Sequence, residues 1–357
     1  MRFGLKALLV IGGILRLIYS LGITPNAFTD NLHHLKNTLL VIQDPSALFF
    51  MPGPTFPLYY LINSIVLSIL PVEYPFTRLL PLLLQGIQIL LVYKILTHFT
   101  RDYIALLSGL TLVLFHPMLI RYGGLNYTGT LAGVFALMGA WFFLKNKDKE
   151  SLAGFALACA TKISGFLFLP GLLFTRLKKA LESRYALIPL LPLIYLVFTR
   201  KPETLWAFIK QIARILSPLW FMVHYPVYLV LLPWTFWGMP HFKWPLFNAL
   251  GLIAFIGLLP VLYGIIKGLP YLKRANKDFH GFFIVSGILF LLACFHTHGD
   301  ARYMVPFIPF LSIPLALFVD KCSDSKRVGY VLNALVFFVV YSIALTIGTI
   351  LLYAGGY

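Results

Sequence analysis

Apolar runs of about twenty residues recur along the chain and are separated by short polar or basic stretches. A run of this length crosses the ~30 Å hydrocarbon core of a bilayer as a single helix. Segments that alternate between apolar and polar residues do not recur, so the pattern predicts an all-α, polytopic helical membrane protein with about 10–11 transmembrane helices. The predicted spans are residues 7–23, 76–97, 103–120, 128–144, 151–176, 185–199, 246–266, 281–295, 304–319 and 328–353.

Two parts of this pattern are irregular. The run 151–176 contains Lys162, and a charge inside the bilayer is costly, so we expect two short helices that break near Thr161-Lys162. Residues 217–238 are apolar but rich in Pro and Trp. They fit either a further span or a segment that lies at the membrane interface.

The composition agrees with a membrane protein. Of the 357 residues, 59% are hydrophobic and only 11% are charged, which is more apolar surface than a soluble domain can bury. We expect one membrane domain over residues 1–357, embedded in a lipid bilayer and without a nucleic-acid partner. Arg2 and Lys6 precede the first apolar run, but Arg16 interrupts it and no small-residue cleavage site follows. This run is therefore predicted to be a retained signal anchor.

Basic residues in short loops predict the orientation of the chain. If the N-terminus is inside, 18 of the 29 Lys and Arg residues fall on the inner side. The predicted inner loops are 94–101, 145–149, 176–184, 267–277 and 320–327. Ten basic residues then lie outside or at the outer interface, with only five acidic ones. This excess predicts an anionic outer ligand such as phosphate, although single cations can also reach the interface by snorkelling.

The long outer loop, about 24–74, contains the densest group of polar residues. Thr29 is a suitable N-cap for a helix that runs to about Gln43. Helical spacing places Asp30, His33, His34 and Asn37 on one face and a row of leucines on the other. We expect an amphipathic juxtamembrane helix whose polar face is turned to water or to a cavity. Asp44-Pro45 should end it in a turn, and a second short helix should follow near FPLYY.

Two further outer segments carry candidate residues. Residues 200–216 form an amphipathic pattern with a basic stripe that includes Arg214. The outer loop 296–302 contains His296, His298 and Asp300 followed by Arg302. The spacing of the first three permits a divalent metal site, but short loops also produce such triples by chance.

Several ordered motifs resemble those of the GT-C membrane glycosyltransferases. They begin with an N-terminal span and an outer loop that holds an early Asp and His, followed by QDP and by PTFPLYY. They continue with RLLP, LFHPMLIRYG, ATKISGFLFLP and ARYMVPFIPFL, and together they cover nearly the whole chain. Members of that family often carry Asp-Glu at the first site, where this chain has Asp30-Asn31. They often carry a second acid in the next outer loop, where this chain has Asn126.

The resemblance implies an enzyme that moves a sugar from a polyprenyl-phosphate donor to a glycan, lipid or protein acceptor. It implies a multi-pass protein of a prokaryotic plasma (inner) membrane, with an outward-facing site and an inverting mechanism that needs no cofactor. Asp30 is then the expected general base. The residues expected to bind substrate are His33, His34, Tyr59, Lys162, Arg214, Arg302 and Tyr303, with the cations next to the leaving phosphate.

Two other functions remain open from the sequence. A transporter or flippase for a lipid-linked sugar or another anion would share the basic outer side, and it should also show an inverted repeat and midplane charges. No such repeat is apparent in the sequence. An acyltransferase would need a membrane histidine, for which His116 and His224 are candidates, but neither has a carboxylate nearby in sequence.

Overall fold

The computed structural model of the protein describes residues 2–23, 29–49, 57–70, 76–182, 245–296 and 301–354. Their regular structure is helical. In chain order the α-helices are α1 (Arg2–Gly22), α2 (Thr29–Gln43), α3 (Pro57–Ile69), α4 (Leu79–Phe99), α5 (Tyr103–Phe115), α6 (Pro117–Gly123), α7 (Thr128–Leu144), α8 (Asp148–Thr161), α9 (Leu169–Glu182), α10 (Pro245–Ala275), α11 (Lys277–His296), α12 (Ser312–Lys321) and α13 (Ser325–Ala354). Short 3-10 turns occupy Pro45–Phe49, Phe76–Arg78, Ile163–Phe168, Ala301–Met304 and Ile308–Leu311.

The helical membrane class predicted from the sequence is confirmed. Within the described residues, four helices are long and apolar enough to cross a membrane: Gly4–Gly22, Phe76–Phe99, Ile256–Ala275 and Ser325–Leu351. The pair α5 and α6 forms a fifth if the two bent helices are one span. The predicted span 185–199 and the segments 200–216 and 217–238 lie outside the described residues.

The expected break in the run 151–176 is present. Helix α8 ends at Thr161, and Lys162 is extended, with φ −155° and ψ 144°. The chain then forms a 3-10 turn and continues as α9. A buried cation in an apolar run therefore marks the place where the helix ends.

The predicted span 103–120 consists of two helices, because the helix breaks at His116 and bends by 50°. Pro117 has no N–H to donate to the carbonyl of Val113. The N–H of Met118 is bonded instead to the Nδ1 of His116, at 3.3 Å. The break therefore leaves the carbonyls of Val113 and Leu114 without their helical donors.

Arg16 supplies the donors that this break removes. Its guanidinium is only 2% exposed. It donates to the carbonyl of Val113 at 2.6 Å and to that of Leu114 at 3.2 Å. A third bond reaches the side chain of Gln85. The charge that interrupts the first span thus joins α1 to α4 and to the bend between α5 and α6.

Small residues allow helices α7 and α8 to approach closely. A Cβ at Gly154 would lie 2.6 Å from the backbone N of Gly139, so α7 and α8 touch through their backbones. Close contact between small residues is a common way for membrane helices to associate. Beside this contact, Phe168 and Phe282 belong to a fully buried aromatic core. This packing fixes the end of α8 and therefore the position of Lys162.

The two short outer helices form as predicted, but α2 is oriented differently from a simple surface helix. Its polar side packs against α3, with Asn31, His34 and Asn37 buried. Leu40 on the other side is 45% exposed. Since Asn31, His34 and Asn37 face inward and Leu40 faces outward, α2 can rest on lipid while it encloses a polar interior.

The orientation inferred from basic residues can be tested with single cysteines at Lys36 and Lys147. Both side chains are exposed, and they lie at opposite ends of the helix bundle. In a background without native cysteines, a membrane-impermeant maleimide should label Lys36→Cys in intact cells and Lys147→Cys only after permeabilisation. The reverse pattern would overturn the orientation.

Candidate active site

Arg78 and Asn31 form the first part of the site. Arg78 ends the turn before α4 and is 1% exposed. Its Nη1 donates to the Oδ1 of Asn31 at 2.6 Å. The same oxygen accepts from the backbone N of Asn126 at 2.9 Å and from its Nδ2 at 3.2 Å. Three segments that are distant in sequence therefore meet at one amide oxygen.

His34 and Tyr60 form the second part. The Nδ1 of His34 lies 2.9 Å from the hydroxyl of Tyr60, and the Nδ2 of Asn37 donates to that hydroxyl at 3.3 Å. His33 is exposed, and its Nε2 lies 3.1 Å from the Nδ2 of Asn37. The two adjacent histidines thus differ, one enclosed by tyrosines and the other open to the surroundings.

Lys162 and Tyr127 form the third part. Lys162 is 6% exposed, and its Nζ donates to the hydroxyl of Tyr127 at 2.5 Å. Tyr127 in turn donates to the backbone carbonyl of Arg302 at 3.2 Å. The ring of Tyr303 lies 5.2 Å from the Nζ of Lys162 and 5.6 Å from the guanidinium carbon of Arg302. Tyr127 and Tyr303 therefore hold the two cations near each other.

Aromatic and amide contacts join these three parts. The hydroxyl of Tyr59 donates to the Oδ1 of Asn126 at 3.3 Å. The rings of His34 and Tyr127 are 6.3 Å apart, and those of His34 and Tyr59 are 6.0 Å apart. We call the connected set the polar cluster; its members are Asn31, His34, Asn37, Tyr59, Tyr60, Arg78, Asn126, Tyr127, Lys162, Arg302 and Tyr303.

The described part of the polar cluster contains three cations, Arg78, Lys162 and Arg302. Burial raises the pKa of Tyr59 above its ordinary value, as does the neighbouring Tyr60, while Arg78 opposes the shift. Tyr59 is therefore a neutral hydroxyl at physiological pH. An anion can bind to such a group of cations, in which Arg78 and Lys162 are buried and hydrogen-bonded and Arg302 is partly exposed.

The structure brings together most of the site residues predicted from the sequence. His34, Tyr59, Lys162, Arg302 and Tyr303 belong to the polar cluster, and His33 lies at its edge. Tyr59 and Tyr60 are fully buried, so their rings face the interior and not the lipid.

The side chains of the other predicted site residues lie outside the described residues. Asp30 lies in the first turn of α2, directly before Asn31, and its side chain is outside the described residues. Arg214, His298 and Asp300 are also outside the described residues, as is the side chain of His296. Within the described part of the chain, no group of three His, Cys, Asp or Glu residues could hold a metal ion.

Sequence reasoning missed three central members of the polar cluster as site residues: Asn31, Arg78 and Tyr127. Arg78 was visible as the start of RLLP, and Asn31 as the residue after Asp30. Their role depends on contacts between residues 47 and 95 positions apart. Local spacing carries no signal for such contacts.

Two solved structures are similar to this fold. One is ArnT from Cupriavidus metallidurans in the apo state, with a TM-score of 0.55 and 15% identity over 92% of this chain. The other is ArnT from the same organism bound to undecaprenyl phosphate, with a TM-score of 0.52 and 17% identity over 99% of this chain. The chain shares the overall fold of these ArnT structures. It spans 62% of the first ArnT chain and 74% of the second.

Sequence comparisons add no family assignment to this likeness in fold. No family model matches the chain, and no curated protein matches it. At 15–17% identity the likeness to ArnT establishes the architecture alone. The chemistry has to be argued from the polar cluster.

Proposed function

We propose that the protein transfers a sugar from a polyprenyl-phosphate donor to an acceptor hydroxyl at the outer face of the membrane. The fold shared with ArnT supports this proposal, and so does a similar structure that holds undecaprenyl phosphate. The observation that carries it is Lys162, a buried cation at a helix break that Tyr127 and Tyr303 hold near Arg302. A lipid-linked donor requires such a cation close to the bilayer.

The cations act on the leaving group. When the bond between the anomeric carbon and the donor oxygen breaks, the electron pair remains on that oxygen and the lipid phosphate leaves with additional negative charge. Lys162 and Arg302 stabilise this charge as it develops, and a preorganised donor in a site of low dielectric is typically worth ~10²–10³-fold in rate. Arg214 is proposed to complete this set of cations.

Asp30 is the proposed general base. It directly precedes Asn31, whose side chain is buried among Arg78 and Asn126. In the proposed step the acceptor oxygen bonds to the anomeric carbon from the face opposite the phosphate, and its proton passes to the Asp30 carboxylate. One displacement of this kind inverts the anomeric configuration. The step needs no nucleotide and no acid catalyst, because the donor is already activated by its phosphate.

The histidines orient the acceptor. His33 is exposed at the edge of the polar cluster and is proposed to contact a sugar hydroxyl, whereas His34 is enclosed by Tyr59, Tyr60 and Tyr127. His34 therefore positions α2, and with it Asp30, through its contact with Tyr60. In this proposal His33 contacts the substrate, and His34 holds α2 in position.

Binding of undecaprenyl phosphate tests the phosphate site directly. Lys162→Met removes a cation while it keeps an unbranched chain, and we expect the Kd to rise about tenfold or more, because a charge-assisted hydrogen bond contributes ~1.5–3 kcal/mol. Arg302→Ala should act in the same direction. Lys147→Met, at an exposed position away from the polar cluster, should leave the Kd unchanged. Equal Kd values for Lys162→Met and the unmodified protein would mean that Lys162 does not bind the donor phosphate.

A further inference from the structure

A second polar cavity lies at the opposite end of the helix bundle from the polar cluster. It has a volume of about 620 Å³ and lies between the ends of α4, α7 and α12 and the turn that joins α4 to α5. Helix α7 begins beside Tyr127 and ends at Leu144. At 1.5 Å per residue, its 17 residues separate the two sites by roughly 25 Å.

Two cations in this cavity form no ion pair within the described part of the chain. Arg101, Lys145 and Lys321 line it together with Asp102 and Asp320. Asp320 pairs with Lys321 at 3.0 Å, and Asp102 accepts the backbone N of Ala105 at 2.7 Å and caps α5. Within the described part of the chain, neither Arg101 nor Lys145 forms an ion pair. The cavity therefore offers two cations from different segments to an incoming anion.

Helix dipoles do not account for both cations. Lys145 follows the C-terminus of α7, where a positive charge is favoured. Arg101 lies between the end of α4 and the start of α5, where the two helix dipoles have opposite signs and cancel. Its position inside a polar cavity, opposite a cation from another helix, is better explained by a ligand.

The aromatic residues place the cavity at the level of the membrane surface. Helix α4 is long enough to span the bilayer and ends at Phe99, which lines the cavity. Trp141 also lines it, and the Nζ of Lys145 lies 4.7 Å from the indole ring. Tryptophan is enriched where the hydrocarbon core meets the headgroups, and the surrounding excess of Lys and Arg predicts the cytoplasmic leaflet. Basic pockets between membrane helices on that side are suited to lipid headgroups.

We propose that this cavity binds the phosphate of an anionic phospholipid, with Arg101 and Lys145 as its ligands and Trp141 beside the glycerol backbone. The site lies in the leaflet opposite the polar cluster and does not depend on sugar transfer. A water-soluble phosphate ester would share the same chemistry, so the experiment must separate the two sources.

Native mass spectrometry of the full-length protein in detergent provides the test. We expect the apparent Kd for phosphatidylglycerol to rise about tenfold in the double variant Arg101→Gln/Lys145→Gln. The matched control Lys147→Gln/Lys149→Gln removes the same charge from exposed positions outside the cavity and should leave the Kd unchanged. Phosphatidylcholine and free glycerol phosphate should show no difference between the variants. Both double variants should keep the melting temperature of the unmodified protein.

Three results would overturn the proposal. Equal losses in the two double variants would mean that general surface charge attracts the lipid. An unchanged Kd for phosphatidylglycerol in Arg101→Gln/Lys145→Gln would mean that these two residues do not bind the lipid. Variant-sensitive binding of glycerol phosphate at the affinity of the lipid would identify a site for soluble phosphate esters. Asp30→Asn should retain phosphatidylglycerol binding, so failure of the transferase proposal would leave this result intact.

Discussion

Asp30→Asn should reduce sugar transfer by about 10²–10⁴-fold, because a positioned general base typically contributes that much to the rate. The amide keeps the size of the side chain and cannot accept the proton of the acceptor hydroxyl. Expression and the Kd for undecaprenyl phosphate should change little, since the donor contacts assigned above belong to Lys162 and Arg302. Single-turnover transfer with a polyprenyl-phosphate sugar measures the effect.

Asp44→Asn is the matched control for Asp30→Asn. Asp44 follows the last residue of α2 and is exposed. The Oδ1 of Asp44 accepts hydrogen bonds from the backbone N–H of Ser46 at 2.9 Å and from the Ser46 hydroxyl at 2.7 Å. These bonds give Asp44 the turn role expected from the sequence. An amide oxygen can accept the same bonds, so activity should stay within a few-fold of the unmodified protein. Equal losses at the two positions, or full activity in Asp30→Asn, would place the base elsewhere.

Arg16→Met should lower the free energy of unfolding by roughly 2–6 kcal/mol. The side chains of arginine and methionine have similar reach, but methionine donates no hydrogen bond to the carbonyls of Val113 and Leu114. Each buried carbonyl left without a donor costs ~1–3 kcal/mol. Gln85 also loses its partner. Removal of a charge from the bilayer offsets part of this loss. We therefore expect the total decrease in the free energy of unfolding to stay within the range given above. Thermal unfolding in detergent, followed by tryptophan fluorescence, measures the change.

A double-mutant cycle with Pro117→Ala tests the reason for this loss. Alanine supplies the N–H that Pro117 lacks, and this N–H can bond to the carbonyl of Val113 in a continuous helix. Arg16→Met should therefore cost about 1 kcal/mol less in the Pro117→Ala background than in the unmodified protein. Additive effects of the two substitutions would mean that Arg16 acts independently of the helix break.

Local features of the sequence predicted much of the helical architecture. Lys162 marked the end of α8, because a charge within an apolar run has few stable environments in a membrane. Asp44-Pro45 marked the end of α2. By contrast, the break at His116 was missed although Pro117 was visible, since Pro117 lies within a long and mainly apolar run. The deciding contact comes from Arg16, about a hundred residues away along the chain.

The candidate site was only partly predictable for the same physical reason. The spacing of Asp30, His33, His34 and Asn37 predicted a polar helix face, and that face is indeed turned inward at His34 and Asn37. Which partners it meets depends on the packing of α3, α4 and the turn before α7. Tyr127 has an ordinary interfacial position in the sequence, and its importance appears only when the side chain of Lys162 and the backbone of Arg302 converge on it.

The bonds of Arg16 also impose an order on the synthesis of the protein. Arg16 leaves the ribosome 98 residues before Leu114, one of its acceptors. At 5–20 residues per second, this delay is roughly 5–20 s. During that time the first helix carries a charge with no carbonyl to receive it. Helix α1 therefore gains these bonds only after the bend between α5 and α6 has been synthesised.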